Sequence, residues 1–428
     1  MAAQPLFEET SWSASGPMIA GLAGLAMADP HAPLQRETRT IEMANRRLSV
    51  YSGHAAFALA RELEHLSNRA VETNIFFNPR FLAPAIPRLD DKDIRLAVLR
   101  DEKGDGSRLR MVMPYAVERP LAGAVGPSII RSWASVFGPN GTPLIDGDDP
   151  AGAVDAFLEM LARPHLNLPG VLVIPQIYAD GPAAKFLRAG ALMRDYPVYA
   201  TEPVQRASLS TDIAAEDYLR QAFGSHHRRG YARLMRRLAE SGHVDVTLNR
   251  DADAVFRRME EFLSLEHGGW KGANRTSMAS DRLQAAFARE TVNRMAERDM
   301  ARIMTLDLDG VAIASLIILI ENGTAYTWKI AYDEAYSAFS PGMLLMIEAT
   351  RLLIDDPNVT DADSCAVPDH PMMNRVWSGR RPMETIVIGL GADKDRLARQ
   401  VRQQISFYHR SRSAARGLRE RLKGWFRK

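Results

Sequence analysis

At 428 residues, 46% hydrophobic and 25% charged, the chain is long enough to bury two cores, and its composition excludes fibrous and low-complexity classes. Its one cysteine, Cys365, excludes a disulfide framework and a cysteine-cluster metal site and fits a reducing compartment. The net charge of +2 hides an asymmetry: residues 394–428 hold twelve Lys/Arg against two acids, leaving 42 against 50, so the body has no global footprint for DNA.

Residues 1–46 read as a flexible N-terminal arm. The apolar stretch 16–28 lacks a basic region before it, which argues against a signal peptide, and no run reaches the roughly 18 apolar residues of a spanning helix. The expected location is cytoplasmic. Helical spacing begins near residue 54 and continues to 69, with Phe57, Leu59, Leu63 and Leu66 on one side. Another helix starts behind Asn78-Pro79. Strands are expected at 94–100 and 109–117 around a polar turn, followed by the turn-rich loop 137–144. A helix at 150–161, a strand at 171–174, a helix at 183–189 and a strand at 195–200 complete a first module, 47–201.

A second module, 202–392, opens with helices at 215–223 and 226–241. The latter carries Arg229, Arg233, Arg236 and Arg237 at three- and four-residue spacing, so they share a face. A strand at 245–248 and a helix at 252–265 lead to the Gly-rich stretch 266–272, read as a loop, and a helix at 280–298. Strands at 302–308 and 311–320 flank Asp309-Gly310, and a third at 324–331 follows Asn322-Gly323; both are hairpin signals. A tight loop with Tyr332, Asp333 and Tyr336 then meets Ser340-Pro341-Gly342, a natural cap and first turn for a helix running to 354. A strand follows at 359–363, a short helix at 374–377 and a last strand at 384–388. The two strand–turn–strand segments, each behind helices, suggest an internal repeat of one α/β module, with chance similarity as the competing reading. Residues 393–428 form a basic tail in which Leu418, Leu422 and Phe426 repeat every four residues. That pattern suits a helix lying on an anionic membrane surface through 411–428, against a plain disordered tail.

The order of meander, Tyr-containing loop, Pro341-Gly342-Met343-Leu344-Leu345 and a strand ending in Asp363 resembles the GNAT superfamily of N-acyltransferases. It is similar in particular to the GNAT-like family named after the cellulose-biosynthesis protein CelD, a BcsL-like group, as is loop 137–144; the glycine-rich loop of typical acetyl-CoA enzymes is missing. The resemblance implies tandem GNAT-like modules of α/β (α+β) class, each a mostly antiparallel sheet flanked by helices. It also implies transfer of an acyl group from acyl-CoA to an amine or hydroxyl of a small-molecule, glycan or lipid-linked acceptor in polysaccharide or cell-envelope synthesis, peripheral to the inner membrane. A FemAB-like transferase using aminoacyl-tRNA and a degenerate scaffold are the alternatives.

Acyl transfer needs an anchor for the carrier's phosphates, a polarised carbonyl and a route for a proton. Backbone N–H groups at the helix start, Ser340, Pro341, Gly342, Met343 and Leu344, are the candidate anchor. Glu266 and His267 are candidates for the proton route, the competing reading being a solvated helix end. Tyr332, Asp333 and Tyr336 are candidate acids, though most such tyrosines only pack. Trp270, Lys271, Lys329 and Asp363 are candidate substrate contacts. Arg229 and Arg233 suit phosphate, or tRNA under the FemAB-like reading, with a solvated face pairing with acids of the body as the alternative. No metal site can be assembled from the spacing of His, Cys and carboxylates.

Overall fold

The two hairpin signals of the second half are realised in their backbone. Asp309 and Gly310 have φ of 51° and 79°, and Asn322 and Gly323 have 49° and 82°, the doubly positive pairs that a tight two-residue turn between twisted strands requires. In this computed structural model the backbone is described for residues 37–43, 45–89, 92–103, 106–120 and 126–425, and side chains for those of them between 39 and 411 other than 103 and 106. The tail's apolar stripe therefore lies outside the described side chains.

The strands are β1 (Glu37–Met43), β2 (Arg46–Ser52), β3 (Arg95–Lys103), β4 (Gly106–Glu118), β5 (Ile129–Ser132), β6 (Leu144–Ile145), β7 (Val171–Tyr178) and β8 (Val198–Ala200). They continue with β9 (Val204–Leu209), β10 (Val244–Asn249), β11 (Ala301–Leu308), β12 (Val311–Glu321), β13 (Thr324–Tyr332), β14 (Asp361–Asp363) and β15 (Gly379–Gly389). All join one sheet in the order β1-β2-β3-β4-β5-β7-β15-β9-β14-β13-β12-β11-β10, with β6 on β4 and β8 on β15. The sheet is mixed and mostly antiparallel. Its two parallel pairs, β5 with β7 and β13 with β14, are each bridged by a helix, Pro150–Leu161 and Pro341–Asp355. The same unit thus occurs twice: an antiparallel run, a crossover helix and a parallel partner.

Two sequence expectations change here. Residues 37–43, assigned to the arm, pair with β2 as an edge strand, and Ile41 and Met43 pack on the first half's core. β15, counted with the second module, pairs with β7 and β8 of the first half and with β9 of the second, so contiguous boundaries do not describe the two units.

Helices cover both faces. Ala252–Gly268, Arg282–Ala296 and Pro79–Leu89 share one core, in which Phe81 meets Phe287 at 5.2 Å and Trp328 at 5.8 Å, so aromatic edges join the halves. Buried Glu321 adds a polar link across the same join, accepting from Ser67 Oγ at 2.7 Å and Asn78 Nδ2 at 2.6 Å. Pro341–Asp355 packs on the opposite face of the second half, and Pro150–Leu161 and Pro182–Met193 on that of the first. Helix Asp395–Trp425 lies over β8 and β15, burying Ala398, Val401 and Ile405. Among the described residues no helix is long and apolar enough to cross a membrane.

Candidate functional site

β13 and β14 pair over three residues only, Thr324–Tyr326 with Asp361–Asp363, and then part. Thr327 Oγ1, bonded to Ser364 O at 3.2 Å, is a link at the point of separation. β13 continues beyond it with a bulge: Ile318 faces Thr327 and Ile317 faces Lys329, so Trp328 is the extra residue. A bulge bends its strand and turns consecutive side chains to one face. Trp328 and Lys329 both lie on the face of helix Ala252–Gly268, where the first half's 133–143 loop meets them. Trp328 Nε1 donates to Phe137 O at 2.6 Å, and Lys329 Nζ stands 3.4 Å from Val136 O and 4.6 Å above the Phe137 ring.

Near Lys329 stands an ion pair. Lys271 Nζ donates to Glu266 Oε1 at 2.7 Å and approaches Ile330 O at 3.5 Å, while Glu266 Oε2 accepts the Met278 N–H at 2.8 Å. Lys329 has no carboxylate within ion-pair distance among the described residues. Burial, and then the Lys271 ammonium, push its pKa down to about 8 against the pull of Glu266. An unpaired, half-buried cation beside a break in a sheet is a place for an anion or for developing negative charge. Burial raises the nearby Cys365 thiol well above its usual range.

The other sequence candidates divide. Glu266 and His267 are not on a loop: helix Ala252–Gly268 runs through them, and Trp270–Ala273 forms a separate short turn. Glu266 is buried, and His267 is exposed with Nδ1 3.1 Å from Ser277 Oγ. Exposed Trp270 is held through its backbone N–H, which donates to Glu334 Oε1 at 2.7 Å. Asp333 caps the turn Glu334–Phe339, its Oδ1 accepting from the Ala335 N–H at 2.9 Å. Asp363 is fully buried at the join, shared by the Tyr178 hydroxyl, Arg206 and the Cys365 N–H, which leaves no oxygen facing a substrate.

The expected anchor is also altered. Pro341 is the first helical residue, but Ser340 sits in the left-handed region at φ 53° and its hydroxyl makes no cap bond. The Met343 and Leu344 N–H groups both turn back to Ser340 O, at 3.0 and 3.1 Å. Gly342 is buried, and a Cβ there would lie 3.3 Å from the Tyr332 ring, so that ring covers the helix start. Tyr336 is half-buried in the core beneath. Positive charge lies nearby on helix Ser225–Ala239. Arg229, Arg233 and Arg237 are exposed there, none paired with an acid among the described residues, and Arg237 stacks over Phe339 at 5.7 Å, one residue before Ser340. The expected pairing of this face with acids of the body is therefore not what the structure shows.

Residues 225–366 match the family model of the acetyltransferase (GNAT) domain. The match lies in the second half of the chain. Its span takes in the arginine helix, the meander, the bulge and the crossover helix of the GNAT unit. No curated protein matches the chain. Among solved structures, FemX aligns at 10% identity over 83% of this chain and 98% of its own, TM-score 0.49. A conserved Bacteroides thetaiotaomicron protein of unknown function aligns at 11% over 77% and 96%, TM-score 0.47. A tandem GNAT protein from the clavulanic acid biosynthesis pathway aligns at 11% over 80% and 99%, TM-score 0.39.

Sequence reasoning missed Phe137, Val136 and Cys365 as neighbours of Lys329. The first two lie about 190 residues from Lys329 in the chain and reach it only through the join. The bulge at Trp328 left a faint signal, a Trp-Lys pair interrupting an otherwise apolar alternation.

Proposed function

We propose that this protein is an N-acyltransferase whose reaction takes place in the cleft between β13 and β14, with Lys329 as the electrostatic centre. The observation that carries the reading is the unpaired Lys329 ammonium on the bulge where the strands part. An acceptor amine attacks the carbonyl carbon of an activated acyl group, the C=O electron pair moves to oxygen, and the bond from carbon to the carrier then breaks. Lys329 stabilises the oxyanion at the intermediate stage. Lys271 and Lys329 together disfavour a protonated amine beside them, so they keep the acceptor in its nucleophilic form. Exposed His267 at the rim is the group placed to pass the amine's proton to water.

Acyl-CoA is the donor that the GNAT domain implies, supplying a thioester as the activated acyl group. The covered Gly342 and the occupied Met343 and Leu344 N–H groups do not make an open phosphate cradle, so Arg229, Arg233 and Arg237 are the residues that would meet its phosphates. The breadth of that unpaired basic helix favours a second reading, an aminoacyl-tRNA donor. A role in polysaccharide or envelope synthesis, and a membrane contact through 411–428, rest on the resemblance and the tail's pattern.

The test is acyl transfer to a panel of amines from labelled acetyl-CoA, longer acyl-CoAs and aminoacyl-tRNA. Lys329→Met should lower kcat by roughly 100-fold with the active donor, the scale of one lost oxyanion donor. Full activity in the variant would remove Lys329 from the chemistry, and no transfer from any donor would favour a scaffold.

A further inference from the structure

A cavity lies on the join, and Lys329, Lys271 and Glu266 are not in its lining. It has a volume of about 340 Å³ and takes its lining from both halves, with Glu72, Tyr178 and Asp180 from the first and Tyr326 and Arg381 from strands β13 and β15. The Arg381 guanidinium stands 4.3 Å over the centre of the Tyr178 ring and pairs with Asp361 Oδ1 at 3.4 Å. Opposite it, Glu72 is held by two long bonds, from Ala183 N–H at 3.3 Å and Thr142 Oγ1 at 3.4 Å. Bare backbone at Gly181 is what lets the carboxyl sit there, because a Cβ would fall 2.2 Å from Glu72 Oε2.

Glu72 and Arg381 feel one another's charge across the cavity, yet no ion pair forms between them among the described residues. Burial pushes the Glu72 carboxyl up to about 7; Arg381 opposes the rise without cancelling it, and exposed Asp180 adds to it. Two opposite charges that line one cavity without touching each other leave room for a ligand that carries the complement of both. A phosphate or dianion there would meet Glu72 and Asp180. A simple cation would meet Arg381, a neutral sugar would leave both ends unmet, and a polymer exceeds the volume.

We propose that this cavity binds a small zwitterion of the free amino-acid class, its carboxylate on Arg381 and its ammonium between Glu72 and Asp180. Tyr178 forms the wall beside the bound carboxylate and donates its hydroxyl to Asp363 at the end of β14, so the ligand would rest on the frame that carries the cleft. The site is independent of the acyl-transfer reading.

The experiment is titration calorimetry and thermal shift on the full chain with glycine, L-alanine, L-serine and L-glutamine, each beside its amide and its N-acetyl derivative. At least one free amino acid should bind at a single site, and its amide and N-acetyl forms should bind roughly tenfold or more weakly, because each lacks one of the two charges. Glu72→Gln and Arg381→Gln should each weaken binding by about the same factor. Should Arg381→Gln fail to fold, Asp180→Asn on the exposed rim replaces it. No binding by any free amino acid at about 10 mM would overturn the proposal, since weaker sites lie beyond ordinary recognition. Equal binding of the amide and acetyl forms, or undiminished binding by the variants, would overturn it too.

Discussion

Lys329 carries an electrostatic cost that a residue kept only for packing would not. Its pKa, lowered from 10.5 to about 8, means that the unfolded chain binds more protons than the folded one between those values. Stability therefore rises with pH through that window, and the buried charge is a penalty below it. Lys329→Met should raise unfolding stability at pH 7 by on the order of 1 kcal/mol while lowering activity, read by denaturant melts beside the transfer assay. Activity has the opposite pH sense. If the ammonium stabilises the oxyanion, kcat/KM falls as pH rises through about 8. Lys329→Arg keeps its charge throughout and should remove that fall, so a matching fall in the Arg variant would assign it to another group.

At the scale of elements, the cleft depends on how closely helix Ala252–Gly268 and the turn Trp270–Ala273 approach. A Cβ at Gly272 would lie 1.8 Å from His267 O, so only glycine lets the turn fold back and place Lys271 against Glu266. Gly272→Ala should cost about 1–3 kcal/mol, the usual range for overpacking, and lower transfer as well, measured by denaturant midpoint and rate. Gly268→Ala, with open space around its Cβ position, serves as the control and should leave both nearly unchanged. The chain advertised most of these elements. The paired positive-φ turns, the proline-started helix Pro341–Asp355 and the amphipathic helices follow from local rules. The end of helix Ala252–Gly268 did not: the stretch from Glu266 read as a loop, yet packing of Phe262, Leu263 and Glu266 carried the helix to Gly268.

The whole molecule is joined by one sheet and by an aromatic core common to both halves. Phe287 meets Phe81, Phe137 and Trp328, rings drawn from both halves. Phe287→Ala should cost about 3–5 kcal/mol and destabilise both halves together, giving one calorimetric transition at lower temperature. Two separated transitions would show that β15 and the shared core do not couple them. Strand β15 explains why: its residues lie at the end of the chain, but their hydrogen bonds go to the first half on one edge and to β9 on the other.

Sequence alone settled the fold class, the meander, the crossover helix and the basic face of helix Ser225–Ala239, because each is written in neighbouring residues through turn chemistry or periodicity. The tertiary structure decided which of the named polar groups are free to act. It engaged Asp363 and Asp333, covered Gly342, and left Lys329 without a counter-ion beside Phe137. Pairing and burial depend on contacts between residues far apart in the chain, and no local pattern encodes them.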